Sequence, residues 1–297
     1  MPKITDSELL SPDLMAQLER LELVTRKIFR GRLKGERRSK RKGQSVEFAD
    51  FRNYVAGDDL RTLDWNLYAR LDKLIIKLFL EEEDLHFYTL IDASGSMDFG
   101  TPTKLTYAKQ LAASLGFVGL IRADRVCIET LGQGPHQRGA TLRGRRSVWR
   151  MLEHLDTIQA GETTNLAEGV RNFASRNSGR GIVVLVSDLM DKEGYEPALR
   201  FLASQQMDTF VIHVLSQEEL KPDVTGDLKL LDCEDGDEAE ITVSVPLLSR
   251  YQETLNAFVG GAQQFCSQRG MNYLLANNQT PVGELISTYL RQRGLVR

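Results

Sequence analysis

Residues 181–187, Gly-Ile-Val-Val-Leu-Val-Ser, carry five consecutive apolar side chains bounded by two small residues. In an extended strand successive side chains leave on opposite faces, so both faces of this segment must be covered. A strand buried on both faces belongs to a parallel sheet with helices on either side. The surrounding chain has the matching rhythm. Strand-like segments at 74–80, 85–91, 125–131, 209–215 and 272–276 alternate with helical periodicity at 104–123, 145–158, 166–175, 195–206, 248–269 and 281–292. This alternation predicts an α/β fold with a mainly parallel sheet and helices on both faces. Residues 226–245 break the rhythm, because two short strand-like runs flank Asp235-Gly236. They predict a β-hairpin at the edge of the sheet.

Two segments precede the alternation. Leu14, Leu18, Leu21, Val24 and Ile28 recur every three or four residues and predict an amphipathic helix over 11–29, with Ser11-Pro12 as its start. From Arg26 to Lys42 there are ten basic residues and one acid. With 38 basic and 41 acidic residues in all, 28 basic and 40 acidic remain elsewhere, so a +9 segment is joined to a body of −12. Such a block binds an acidic partner, the chain's own acidic body or nucleic acid. It lacks the series of aromatics that a base-stacking platform needs, which ranks nucleic acid last. Residues 43–66 then form a dense polar stretch whose aromatics Phe48, Phe51, Tyr54 and Trp65 supply packing groups, with Trp65 as the expected anchor. The expected division is 1–80 and 81–297.

The 297 residues contain no apolar run long enough for a membrane span and no signal-peptide pattern at the start. Cys127, Cys233 and Cys266 are too scattered for a disulfide framework or a zinc site. The expected location is cytoplasmic. His86, His136, His154 and His213 share no metal-ligand spacing.

Polar groups collect where the strands end. Asp92, Ser94 and Ser96 follow one strand, Thr163 and Thr164 precede a helix, and Asp188 follows the apolar run. Ligands of open α/β sheets bind beyond the carboxyl ends of the strands. Hydroxyl and carboxylate oxygens are hard donors, suited to Mg²⁺ or Mn²⁺ and not to zinc. The enzyme alternatives are weaker. A Mg²⁺-dependent phosphohydrolase with Asp92 as nucleophile needs a second carboxylate two residues on, where this chain has Ser94. No G-x-S-x-G and no Walker A sequence is present. The chain therefore reads as a binding protein and not an enzyme, with phosphohydrolase and basic-arm binding as the alternatives.

Asp92-Ala93-Ser94-Gly95-Ser96 resembles the D-x-S-x-S metal-ion-dependent adhesion site of von Willebrand factor A domains, whose fold is Rossmann-like. Thr164-Asn165-Leu166 is similar to that family's second element and Ser187-Asp188 to its third. The resemblance implies a metal set of Asp92, Ser94, Ser96, Thr164 and Asp188, in which the serines and the threonine contact the ion and the aspartates act mostly through water. A longer signature resembles the bacterial family called domain of unknown function fifty-eight. Its residues are Gly43, Ser45, Glu47-Phe48, Arg52, Tyr54, Gly57-Asp58-Asp59, Arg61, Leu63-Asp64-Trp65 and Ala69-Arg70. That resemblance implies a von Willebrand A-like domain after the signature, and an adaptor or chaperone-like role beside a MoxR-type AAA+ ATPase and an acidic client. Asp58, Asp59, Arg61 and Asp64 are expected to be turn carboxylates paired with arginines.

Overall fold

The apolar run is a strand in the computed structural model, and all seven of its residues are buried. Ile182, Val184 and Val186 join one apolar cluster, whereas Val183 and Leu185 join another. The two-residue alternation of one strand thus supplies two cores. The structure describes residues 9–23, 47–80, 85–132, 139–161, 165–177, 179–231 and 238–297. Contacts divide the chain into Met1–Lys27 with Leu85–Arg297, and Ile28–Asp84. This places the N-terminal helix with the sheet, in contrast to the expected boundary at 80/81.

In chain order the elements are α1 (Pro12–Leu18), β1 (Glu47–Asn53), α2 (Trp65–Leu71), β2 (Ile75–Leu80), β3 (His86–Asp92), α3 (Lys104–Ile121), β4 (Arg125–Leu131) and β5 (Leu142–Arg143). There follow α4 (Val148–Thr157), α5 (Leu166–Arg176), β6 (Gly181–Ser187), α6 (Glu196–Ala203), β7 (Met207–Leu215) and α7 (Gln217–Leu220). Next come β8 (Gly226–Leu231), β9 (Glu238–Val243), α8 (Val245–Gln268) and β10 (Asn272–Asn277). A last helical stretch runs through Val282–Glu284, a π-helical Leu285–Leu290 and Arg291–Arg293.

The larger unit is built on six strands in the order β10-β7-β6-β3-β4-β5. All pair in parallel except β5, which runs antiparallel to β4. One face is covered by α1, α3, α4 and the last helix, the other by α5, α6 and α8. Helix α3 is buried almost all round, as its lack of a polar stripe requires. Strand β3 is followed by β4 on one side and flanked by β6 on the other, so the strand order reverses there. The crevice at that reversal, beyond the carboxyl ends, is where such sheets bind ligands.

Two expectations are corrected. The hairpin β8–β9 forms, but as its own two-stranded sheet and not on the edge of the large one. The edge beside β7 is already taken by β10, in parallel register from Asn272 opposite Phe210. The helix expected over 11–29 stops at Leu18, because Leu23 pairs with Val296 near the chain's end. Its start is as expected: Ser11 Oγ accepts the Leu14 N–H, with proline in the first turn. The basic block 26–42 and the Asp235-Gly236 turn lie outside the described residues.

Among the described residues the smaller unit holds the antiparallel pair β1–β2 with a bulge between Phe48 and Asp50, a 3₁₀ turn at Leu60–Thr62, and α2. Its carboxylates are structural, though among the described residues only Asp58 pairs with an arginine. Asp58 takes a bidentate contact from Arg52, at 2.7 and 2.8 Å. Asp64 caps α2 and pairs with Lys77 at 3.0 Å, and Asp59 caps the 3₁₀ turn. Trp65 is not a buried anchor: it is 60% exposed and meets Tyr68 edge-on.

Two measurements check these assignments. Arg52 holds the Asp58 carboxyl below its ordinary 3.8, chiefly through its hydrogen bonds, and Lys77 does the same for Asp64. These contacts therefore stabilise above pH 3.8 and are lost as pH falls below it. A carboxyl-resolved NMR titration should give both midpoints below 3.8, with Arg52→Gln raising that of Asp58 alone. In the large sheet, a Cβ on Gly181 would collide with the His86 carbonyl oxygen. Gly181→Ala should cost about 1–3 kcal/mol in urea denaturation. Gly260→Ala, on an open part of α8, should gain about 0.5–1 kcal/mol.

Candidate functional site

The carboxyl ends of β3 and β6 lie side by side, with Ile91 opposite Val186. Asp92 and Asp188 therefore meet at the reversal of strand order. Asp92 is 4% exposed and Asp188 1%. Both oxygens of Asp92 are engaged: Oδ1 accepts the Ser94 N–H at 3.0 Å and Oδ2 accepts the Ser187 hydroxyl at 2.6 Å. After Asp92 the chain turns through a short 3₁₀ helix, Gly95–Asp98, that opens at Ser94. This turn sets Ser94 Oγ 2.9 Å from Ser96 Oγ. Four of the five expected residues are thus placed at one strand-end crevice. Thr164 lies outside the described residues.

Lys104 and Glu219 are absent from the sequence-based set and dominate the electrostatics. Lys104 opens α3 and is fully buried. Its ammonium donates to Asp188 Oδ2 at 2.7 Å and to Glu219 Oε1 at 2.6 Å. A lysine at a helix N-terminus opposes the helix dipole, and that mismatch is the sequence signal by which it could be found. The two carboxylates raise its pKa against the large opposing cost of burial. Glu219 is positioned by a capping box: Ser216 Oγ accepts the Glu219 N–H at 3.1 Å, and Glu219 Oε2 accepts the Ser216 N–H at 2.7 Å. The S-x-x-E spacing announces the cap but not the ion pair.

Two carboxylates thus meet the one ammonium, and Asp92 lies beside Asp188 without touching it. Burial, and next the charge of Asp188, push the Asp92 carboxyl up to about 7, against hydrogen bonds from Ser187 and Ser94. Among the described residues no three His, Cys, Asp or Glu side chains gather as a metal cage. The donor set is of another kind, two carboxylates with two hydroxyls, and hard oxygens of this type fit Mg²⁺ or Mn²⁺. A divalent ion would also offset the excess negative charge. His213 is buried on β7, bonded to Tyr273 Oη at 2.7 Å; burial pushes its pKa down to about 4 against the charge and backbone of the neighbouring Asp188. Cys127 and Cys266 are buried, and the Cys127 thiol donates to the Gly139 carbonyl at 3.3 Å.

Removing the ammonium strands buried negative charge. Lys104→Met should cost about 3–5 kcal/mol in urea denaturation with chelator present. Adding Asp188→Asn to that variant should recover part of the loss.

The family model described as "Protein of unknown function DUF58" matches residues 50–257. Uncharacterized proteins of Mycobacterium tuberculosis and Mycobacterium bovis are 27% identical over 252 residues, covering 83% of this chain and 79% of theirs. Among solved structures, BatB from Bacteroides thetaiotaomicron is 16% identical, with a TM-score of 0.43 over 70% of this chain and 98% of that one. The SpRpn10 VWA domain is 11% identical, with a TM-score of 0.37 over 69% and 94%. The strand order, with its crevice between β3 and β6, and the helices on both faces give a von Willebrand A-like α/β fold. With the family model spanning most of its length, the chain belongs to the DUF58 family.

Proposed function

We propose that this chain is a protein-binding module that takes an acidic side chain of its partner through Mg²⁺ or Mn²⁺ at the β3–β6 crevice. The observation that carries this reading is the pairing of Ser94 and Ser96 hydroxyls beside two buried carboxylates whose oxygens are already held by protein donors. Ser94 and Ser96, with Thr164, would hold the ion directly. Asp92 and Asp188 would supply charge from behind, the first oriented by Ser187 and the second by Lys104. Neutral direct ligands leave such an ion electrophilic, and a partner carboxylate is then its strongest available ligand.

The same arrangement argues against catalysis. Both oxygens of Asp92 accept hydrogen bonds, and no second acid stands at position 94 to protonate a leaving group. The proposed role is that of an adaptor or chaperone-like partner, and the family resemblance makes a MoxR-type AAA+ ATPase the first candidate to test. No helix of the described residues is long and apolar enough to cross a membrane.

Isothermal titration with Mg²⁺ and Mn²⁺ should show a single site in the wild type, lost in Asp92→Ala and in Ser94→Ala/Ser96→Ala. A pull-down with a MoxR-type ATPase as bait should lose the chain on chelation and in the same variants. No metal heat in the wild type, or capture indifferent to both chelator and Asp92→Ala, would sink the reading. A phosphatase assay with Mg²⁺ should stay at background.

A further inference from the structure

The amino ends of the strands carry a different chemistry. Arg143 sits opposite Arg125, the first residue of β4, so the chain enters α4 at the edge of the sheet farthest from Asp92 along the strands. From residue 139 to 152 there are four arginines, Arg143, Arg145, Arg146 and Arg150, and no acid. Arg143 donates to the Ala123 carbonyl and Arg145 pairs with Glu19. Arg146 and Arg150 are exposed and have no hydrogen-bond or ion-pair partner among the described residues. Between them Trp149 is 63% exposed, and among the described residues no guanidinium lies over its ring.

Arg146 lies in the 3₁₀ turn Arg145–Ser147 that leads into α4, and Trp149 and Arg150 lie in the first turn of α4, so all three are exposed together at the helix start. Each local choice there works against stability. Arginines at the helix start oppose the helix dipole, and α4 has no acid in its first turn and no side-chain cap. Exposed tryptophan beside arginine is also the composition of binding hot spots. Stability-costly choices gathered on one surface mark a functional one.

We infer that the Arg146–Trp149–Arg150 face is a second docking surface, taking an acidic segment of a partner protein that carries an apolar residue among its carboxylates. Charge complementarity selects the occupant: guanidinium forks bind carboxylates bidentately, and the indole takes the apolar side chain. A nucleic acid is a poorer match, because the whole chain carries a net charge of −3 and the face offers one aromatic, not a stacking series. The face stands apart from the β3–β6 crevice and does not depend on a metal there.

The probe is a short synthetic peptide of glutamates around one leucine, titrated into a Trp65→Phe background so that Trp149 alone reports by fluorescence. The expected result is a saturable shift that weakens with added salt and is unaffected by chelator. Arg146→Glu/Arg150→Glu should weaken binding by about tenfold or more. The same variant places acids at the helix start, so its thermal midpoint should hold or rise. Trp149→Ala should weaken binding as well. No saturable response overturns the inference, as does a reversal variant that binds like wild type. Tighter binding of a single-stranded oligonucleotide than of the peptide also overturns it and reassigns the face to nucleic acid.

Discussion

An ammonium group sealed from water must be met by carboxylates, and Lys104 between Asp188 and Glu219 satisfies that demand at the one place where the sheet reverses its strand order. The pair of contacts joins the start of α3, the end of β6 and the start of α7, three elements far apart in sequence. A buried ion pair of this kind is a modest source of net stability, but leaving either partner alone is severe. Its value is positional. It fixes where Asp188 stands relative to Asp92, and so fixes the crevice on which the proposed binding depends.

Much of the fold was legible because β6 has only one way to be buried. Five consecutive apolar residues require cover on both faces, and the alternation of strands and helices supplies it. Asp92, Ser94, Ser96 and Asp188 could be read for the same reason, since each follows a strand whose end is marked by the loss of apolar residues. Lys104 and Glu219 could not be read as a pair, because 115 residues separate them and only the closed sheet brings them to 2.6 Å. Trp65 was not legible from its type: aromatic side chains favour burial, yet this one is exposed at the start of α2. The hairpin's partner was misjudged through edge occupancy, because sequence shows that two strands pair without showing that β10 already holds the edge.

The larger unit is chemically polarised along its strands. At the carboxyl ends, acidic groups outnumber the buried cation and face a crevice. At the amino end of β4 and the start of α4, the chain carries arginines and an exposed indole. Helix α4 spans the two, beginning beside the arginines and leading to Gly161, whose N–H donates to the Ala93 carbonyl at 2.7 Å, next to Asp92. A parallel sheet makes this separation easy, since all its strand ends of one kind lie on one side.

Glu219 has one oxygen on the Ser216 N–H and the other on the Lys104 ammonium. Only a carboxylate offers two acceptors in that geometry. Glutamine has the length but would turn an amide donor toward one of the two N–H groups, and aspartate is a methylene too short to make both contacts from the same backbone position. Any substitution at position 219 therefore gives up one of the two contacts for as long as Lys104 stays, and each of the two residues sets what the other must supply.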